Sequence, residues 1–308
     1  MSLKTALVFP GQGSQRAGML DNIPELDALD RLVDAAEALS DLELRTIVRL
    51  GGAEDLADTR VAQPLLYLAD WAWGTILLES GVRPFALAGH SLGELAALAL
   101  ADVYSVEAGL ELVVERSKLM ATTAAATPGG MSAVLGMPSD DIRTAIGGIP
   151  NVWVANDNST GQVVISGTHA ALELAAEALA EAGARKIVPL AVAGPFHSPL
   201  MAPAAEAFAE LLLGADFADA RIPILQNTDP APETDAGAIR TRLISQITQP
   251  VRWTETMAAL AAEGPLTLIE AGPGSVLTGL AKRIDGVTPA AVESSDLEEL
   301  VEGVLNGG

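Results

Sequence analysis

The sequence has 308 residues, with no cysteine and only three histidines. A chain without cysteine forms no disulfide, has no thiolate nucleophile and offers no cysteine-ligated metal site. We expect no metal centre, and a histidine that takes part in chemistry must be one of the three. A chain of this length buries a large core, enough for one large domain or for a large and a small one.

Positive charge and long apolar runs are also scarce. Lysine and arginine number 18 against 40 aspartates and glutamates, which gives a formal net charge of −22 at pH 7. Most of this surface would repel a phosphate backbone, so nucleic acid is not an expected partner. Every apolar stretch of membrane-spanning length contains charges, and we find no targeting pattern. We therefore expect a cytoplasmic protein that does not bind membranes.

The residues around Ser91 give the clearest chemical signal. A short apolar run at 85–88 precedes Gly89-His90-Ser91-Leu92-Gly93, and strong helix formers follow. The pattern G-x-S-x-G between a strand and a helix is typical of a nucleophile elbow, in which small residues on both sides allow a sharp turn to expose the serine at a helix N-terminus. The pattern alone also arises by chance in glycine-rich chains, but the flanking elements favour a nucleophilic serine.

A serine nucleophile needs a general base, most often histidine. His90 adjoins Ser91 in the chain, where neighbouring side chains point in opposite directions. His169 falls in the first turn of a predicted helix, where a surface position is the simpler interpretation. His197 lies on a loop that Gly194 and two prolines restrain, and it is the best candidate for the base.

A second candidate ligand-binding segment is the glycine-rich loop at 10–16, which follows a predicted strand at 5–9. Arg16 stands where a dinucleotide fingerprint needs its third glycine, and no Gly-Lys-Ser/Thr follows, so phosphate-binding loops are excluded. Two interpretations remain: an ordinary turn, or a loop at the carboxyl end of a parallel strand whose N–H groups approach a ligand.

An arginine falls on the buried face of a predicted helix over 102–121. Apolar residues recur there at helical spacing, and Arg116 lies on the same stripe. An unpaired buried charge is costly, and no acidic residue stands three or four positions from Arg116. Either a distant carboxylate or a bound ligand must therefore pair with it. From this helix alone, a structural ion pair is favoured.

The middle of the chain changes character. We predict strands at 131–136, 152–156, 162–167 and 186–192, with helices at 139–147 and 168–183. The order β-α-β-β-α-β is typical of a ferredoxin-like unit, inserted here into a larger domain. Outside it we predict strands at 222–227 and 266–270 and helices at 26–49, 61–78, 201–213 and 275–284.

Several segments form a collinear set: residues 11–15, 89–94, 116, 158 with 161–164, 196–197, 246, 250–253, 272–274 and 277–280. Together they resemble the malonyl-CoA:acyl carrier protein transacylase family over essentially the whole chain. The resemblance implies an α/β fold with a large α/β-hydrolase-like domain, residues 1–127 and 197–308, which contains a parallel sheet. A small ferredoxin-like subdomain, residues 128–196, is inserted into it.

The resemblance also implies a ping-pong acyl transfer. Ser91, activated by His197, would attack the thioester of malonyl-CoA, and the malonyl group would pass to the phosphopantetheine thiol of acyl carrier protein for fatty acid synthesis. The thioester of coenzyme A is then a substrate, and we expect no permanently bound cofactor and a monomeric protein.

The family pattern also implies roles for single residues. The backbone N–H groups of Gln12 and Leu92 would hold the oxyanion, and the backbone carbonyl of Gln246 would orient the histidine. Arg116 would bind the free carboxylate of the malonyl group through two parallel hydrogen bonds. The remaining positions that would line the site are Asn158, Phe196 and His90. Leu92 and Phe196 also resemble the malonyl-selective members.

Three alternatives stay open: a serine thioesterase or hydrolase with the same elbow, a non-catalytic module that binds carrier proteins, and an acyltransferase of polyketide synthesis. Pro195 departs from the small residue common at that position in the family. Acyl carrier proteins are acidic, as is this chain, so docking needs a local basic patch. The candidates, equally consistent with scattered solubilising charge, are Arg185, Lys186, Lys282 and Arg283.

Overall fold

The computed structural model describes residues 4–307. Residues 1–3 and 308, at the ends of the predicted large domain, lie outside the described residues. The strands are β1 (Lys4–Phe9), β2 (Ala86–Gly89), β3 (Gly129–Leu135), β4 (Val152–Ser159), β5 (Gln162–Thr168), β6 (Lys186–Pro189), β7 (Ile224–Leu225), β8 (Leu266–Glu270) and β9 (Val287–Ala291).

The helices fill the connections between these strands. They are α1 (Asp27–Ser40), α2 (Leu44–Leu50), α3 (Ala53–Ala57), α4 (Thr59–Glu79), α5 (Gly93–Leu100), α6 (Val106–Ala126), α7 (Ser139–Ile146), α8 (His169–Glu181), α9 (Ala202–Gly214), α10 (Ala236–Ser245), α11 (Trp253–Ala261), α12 (Val276–Ala281) and α13 (Leu297–Asn306). Within residues 4–307, none of them is both long enough and apolar enough to cross a bilayer.

The larger sheet is parallel throughout, in the order β7-β2-β1-β8-β9. Side chains of a strand alternate between the two faces of a sheet. In β1, Leu7 and Phe9 belong to the apolar core that contains α4, α5 and α6, while Ala6 and Val8 pack with α11 and α12. Helices therefore cover both faces, and the carboxyl ends of the strands form the edge where an α/β sheet places its site.

The smaller sheet is antiparallel, in the order β4-β5-β3-β6. Its two helices, α7 and α8, pack on one face in a separate apolar core. Met131, Ala133 and Val164 on the opposite face line a cavity at the edge of the parallel sheet. This arrangement confirms the predicted fold class. All four strands lie inside the predicted insert, while the boundaries at 128 and 196 stay a prediction.

Several local expectations differ from the structure. The strands expected at 222–227 and 186–192 are the shorter β7 and β6, and α3, α10, α11 and α13 were not predicted. The helix expected over 26–49 is two helices, because Asp41 adopts a left-handed conformation with φ of 58° that ends α1. The helix expected from residue 102 begins at Val106, where the Ser105 side chain accepts a hydrogen bond from the N–H of Ala108. The sequence prediction missed β9, an edge strand that pairs only with β8 among the described residues.

Candidate active site

Ser91 lies at the turn between β2 and α5. Its φ of 52° is in the left-handed region, which costs a non-glycine residue about 1–3 kcal/mol and is common at functional sites. A Cβ on Gly89 would overlap the backbone of Gly93 and Glu94, and one on Gly93 would overlap the carbonyl of Phe9. The two glycines are therefore required for the turn, as the elbow prediction states.

His197 is positioned as a base for Ser91. Its Nε2 lies 2.7 Å from the Ser91 Oγ, and its Nδ1 lies 3.0 Å from the carbonyl oxygen of Gln246 and 3.1 Å from that of Gln249. A carbonyl oxygen only accepts hydrogen bonds, so Nδ1 carries the proton and Nε2 has a free lone pair toward the serine. Burial, and then the positive charge of Arg116, lower the pKa of His197 to about 3. The imidazole is thus neutral at pH 7.

Arg116 is fully buried on α6 with its guanidinium at the serine. Nη1 donates to Gln63 Oε1 at 2.7 Å, and Nη2 donates to Gln246 Oε1 at 2.9 Å and to Ser91 Oγ at 3.3 Å. Burial lowers the pKa of Arg116 to about 10, with the negative charge of Glu94 opposing the shift. Arg116 therefore remains a cation at pH 7.

The ion pair favoured from the helix alone is not found. Among residues 4–307, no carboxylate lies within 4.0 Å of the Arg116 guanidinium. Nη1 and Nη2 carry four hydrogens, and two of these bond to Gln63 and Gln246. Of the other two hydrogens, one makes only the long contact to Ser91 and one makes no hydrogen bond within the described residues. Arg116 can therefore donate to a ligand carboxylate.

Two backbone N–H groups are available beside the nucleophile. Gln12, in the loop after β1, and Leu92, at the N-cap of α5, both line the cavity. In the described part of the chain, neither N–H donates a hydrogen bond. A Cβ on Gly11 would overlap the carbonyl of His90, so glycine is needed for the loop to approach the elbow.

The cavity in front of Ser91 has a volume of about 250 Å³ and lies between the two sheets. Phe196, Leu277 and Leu280 give it apolar walls. His90 and Asn158 also line it, and the His90 Nε2 lies 2.8 Å from Asn158 Oδ1. Because an amide oxygen accepts only, that nitrogen carries a proton. Among the described residues the His90 ring makes no hydrogen bond to the Ser91 hydroxyl, which contacts His197 instead, so His90 is not placed as the base. His169, which is exposed on α8, is not part of the cavity.

Comparison with known proteins assigns the chain to a family. The model of the acyl transferase domain family matches residues 6–294. The malonyl CoA-acyl carrier protein transacylase of Bacillus subtilis is 40% identical over 287 residues, which cover 92% of this chain and 90% of that protein. The corresponding protein of Escherichia coli K12 is 39% identical over 293 residues, covering 93% and 95%. The chain belongs to the malonyl-CoA:acyl carrier protein transacylase family.

Solved structures agree with this assignment. The crystal structure of the malonyl-CoA:ACP transacylase of Synechocystis sp. PCC 6803 aligns with a TM-score of 0.88 at 38% identity, covering 97% of this chain and 99% of that one. A malonyl-transacylase in complex with a type II polyketide synthase acyl-carrier protein aligns with a TM-score of 0.91 at 38% identity, covering 98% and 99%. The resemblance drawn from the motifs and the predicted enzyme class, an acyltransferase, are confirmed.

The sequence prediction missed several polar residues of this candidate site. Gln63 and Gln249 supply oxygens to Arg116 and His197, and Asn227 bonds to the turn itself. A glutamine and a proline, at positions 63 and 64, interrupt an otherwise apolar buried run on α4. That buried polar residue was a usable signal for Gln63. Gln249 and Asn227 act through tertiary contacts that leave no such pattern.

Proposed function

We propose that the protein transfers the malonyl group of malonyl-CoA to the phosphopantetheine thiol of acyl carrier protein through a malonyl-serine at Ser91. One observation supports this above all others. A buried arginine without a carboxylate partner among the described residues lies 3.3 Å from a serine oxygen that also contacts a neutral imidazole. The serine with its imidazole suits attack on a thioester, and the arginine suits a carboxylate at the other end of the same substrate.

In the first half-reaction, the Ser91 Oγ attacks the thioester carbonyl carbon while the His197 Nε2 takes the hydroxyl proton. The N–H groups of Gln12 and Leu92 donate to the oxyanion, and the positive end of α5 adds to their effect. The carbon–sulfur bond then breaks, and the coenzyme A sulfur leaves with the proton from His197. The carbonyls of Gln246 and Gln249 keep the imidazole in its tautomer throughout.

In the second half-reaction, the phosphopantetheine thiol gives its proton to His197 and attacks the malonyl-serine carbonyl. The bond to Ser91 Oγ breaks, and the serine recovers its proton from the imidazole. During both steps Arg116 holds the malonyl carboxylate through two parallel hydrogen bonds, a geometry that suits the guanidinium fork. The steps use protein groups and the coenzyme A thioester, with no permanently bound cofactor.

Selectivity comes from both ends of the cavity. A carboxylate pair in a dry site is worth about 2–5 kcal/mol on truncation, whereas exclusion of one methyl group gives only about 1–3 kcal/mol. We therefore propose that malonyl is separated from acetyl by Arg116 more sharply than from a branched extender by Leu92 and Phe196. Phe196 is 5% exposed and lines the cavity, as this role needs.

Docking of an acidic carrier protein needs a basic face near the cavity. Arg185, Lys282 and Arg283 line a groove that shares Asn158, Gln162 and Leu280 with the active-site cavity. Lys186 is exposed next to Arg185. None of the four is in a salt bridge within the described residues. We propose this groove as the docking face, with scattered solubilising charge as the alternative.

A single chain supplies every residue of the proposed mechanism, so a second copy is not needed, and a monomeric state and a cytoplasmic location stay predictions. We propose that the product supplies fatty acid synthesis. The solved relative bound to a type II polyketide synthase carrier makes polyketide synthesis the second candidate.

The test is intact-mass measurement after exposure to malonyl-CoA. The wild type should gain one malonyl group, which holo-acyl carrier protein should remove and carry, while Ser91→Ala should gain none. Rapid release of malonate without the carrier protein would favour a hydrolase. No adduct in the wild type would favour a binding module, and either outcome would refute the transfer.

A further inference from the structure

The buried side chain of Asn227 bonds to both sides of the strained turn at Ser91, and the Gln246 Nε2 donates to the Ser91 carbonyl at 3.0 Å. The Ser91 N–H donates to Asn227 Oδ1 at 2.7 Å. The Asn227 Nδ2 donates to the carbonyl of Gly89 at 2.5 Å. The amide thus uses both of its ends on residues that flank the turn, and Asn227 is only 1% exposed.

Asn227 is placed for this contact by the parallel sheet. Leu87 and Ala88 of β2 pair with Ile224 and Leu225 of β7. Continued for two residues past β7, the register brings Asn227 level with the start of the elbow. The backbone of Asn227 is also held, because its carbonyl accepts from the N–H of Arg252 at 3.1 Å.

A carboxylate of the elbow's own helix completes the connection. Glu94, in the first turn of α5 and 1% exposed, accepts from the Asn227 N–H through Oε2 at 2.8 Å. Its Oε1 accepts from the Gln226 side chain at 3.1 Å. Glu94 therefore holds Asn227, and Asn227 in turn holds the turn at Ser91. Both carboxylate oxygens of Glu94 accept hydrogen bonds.

The turn's own hydrogen bonds do not restrain Ser91 in this way. The Gly93 N–H bonds to the carbonyl of His90 at 3.1 Å, and the Glu94 N–H to that of Ser91 at 3.3 Å. Neither bond uses the Ser91 N–H, which donates to Asn227 Oδ1 instead. That contact also removes the Ser91 N–H from the oxyanion donors and leaves Gln12 and Leu92 for that role.

We infer that Asn227, anchored by Glu94, is a positioning residue that holds Ser91 in its left-handed conformation and so aims its Oγ at His197. The inference rests on the proposed function for its reaction, but the aim of the serine is a property of the free enzyme. A misplacement of about 1 Å at a reacting group costs on the order of 100-fold in rate. Loss of Asn227 should therefore slow attack by Ser91 and leave binding of the coenzyme A ester largely unchanged.

The experiment compares Asn227→Ala and Asn227→Leu with the wild type. Asn227→Leu has nearly the same shape but offers no hydrogen bond to Ser91 or Gly89, so it decides the case if the alanine variant does not fold. Two rates are measured: malonyl loading from malonyl-CoA, and labelling of Ser91 by a serine-directed fluorophosphonate, which needs no malonyl group. Gln226→Ala is the matched control, because it removes a neighbouring buried amide bonded to Glu94 but not to the turn.

We expect both rates to fall about 10- to 100-fold in the Asn227 variants, with KM for malonyl-CoA within about threefold of wild type. Gln226→Ala should lose thermal stability to a similar extent and keep most of its labelling rate. Labelling within threefold of wild type in folded Asn227→Leu would overturn the inference, and so would an equal loss in Gln226→Ala. If the wild type is labelled but never malonylated, the proposed function fails while the comparison of labelling rates still tests Asn227.

Discussion

Replacing Arg116 by alanine separates its role toward the substrate from its role in the fold. The guanidinium contacts Gln63, Gln246 and Ser91. Those contacts exist for any acyl group, so their loss affects malonyl and acetyl transfer alike. The contact to a malonyl carboxylate exists for malonyl alone. The ratio of the two transfer rates therefore isolates the carboxylate contact.

The expected size follows from the surroundings of Arg116. It is fully buried, so the proposed ion pair with the substrate would form without competing water. Truncating one partner of such a pair costs about 2–5 kcal/mol, which is about 30- to 5,000-fold in kcat/KM. The rate loss common to malonyl and acetyl transfer should be about tenfold, because two amide oxygens lose their donor and the serine is less restrained. The malonyl-to-acetyl ratio should thus fall at least about 30-fold.

The assay is single-turnover loading of Ser91 from malonyl-CoA and from acetyl-CoA, followed by intact mass. Arg240→Ala is the control, because Arg240 packs over the Phe217 ring at 4.8 Å, donates to the Ala215 carbonyl and does not line the cavity. It should lose some stability and keep the malonyl-to-acetyl ratio. Equal losses of both substrates in Arg116→Ala would refute the carboxylate role, whatever the absolute rates.

Three further outcomes are expected. His197→Ala should form no malonyl-enzyme at pH 7 by intact mass, and retained loading would require another base. Because burial and the charge of Arg116 lower the pKa of His197 to about 3, the imidazole stays neutral in acid, so the acid limb of kcat/KM for loading should lie below pH 6.5. A limb at or above pH 6.5 would contradict this. The double reversal Arg185→Glu and Lys282→Glu should raise KM for acyl carrier protein about tenfold at low salt, with malonyl loading unchanged. Reversal of the exposed Arg31 on α1 should have no such effect.

Local features of the chain made the elbow predictable. Both glycines needed by the turn lie within two residues of Ser91. The clash that requires Gly89 is with Gly93 and Glu94, close in sequence, whereas the clash that requires Gly93 is with Phe9 and arises only in the fold. The burial of Arg116 was predictable too, because helical periodicity places it on an apolar face. In the same way, the strand expected at 266–270 coincides with β8, since its apolar run is bounded by a Pro and a Gly-Pro-Gly turn.

Which residues these side chains contact was not predictable from the sequence. Gln63 and Gln246 reach Arg116 from positions 53 and 130 residues away, and Asn227 reaches Ser91 across 136 residues. Hydrophobic periodicity describes one element at a time and says nothing of which two polar side chains a sheet order brings together. The same limit explains why an ion pair was favoured for Arg116, since its partners are neutral amides on other helices and loops.

The choice of neutral amides around Arg116 has a chemical consequence. A carboxylate at position 63 or 246 would satisfy the same hydrogen bonds but would also cancel the charge, and a substrate carboxylate would have to displace it. Amide oxygens satisfy the buried N–H groups and leave the charge in place.

At an effective dielectric constant of about 20, a charge pair 4 Å apart is worth about 4 kcal/mol, and this attraction stays available for the ligand. Burial lowers the pKa of Arg116 to about 10, with the charge of Glu94 opposing the shift, so the guanidinium keeps its proton at pH 7 without a carboxylate in direct contact. The fold therefore places no carboxylate in contact with Arg116, and in the proposed mechanism the substrate supplies that contact.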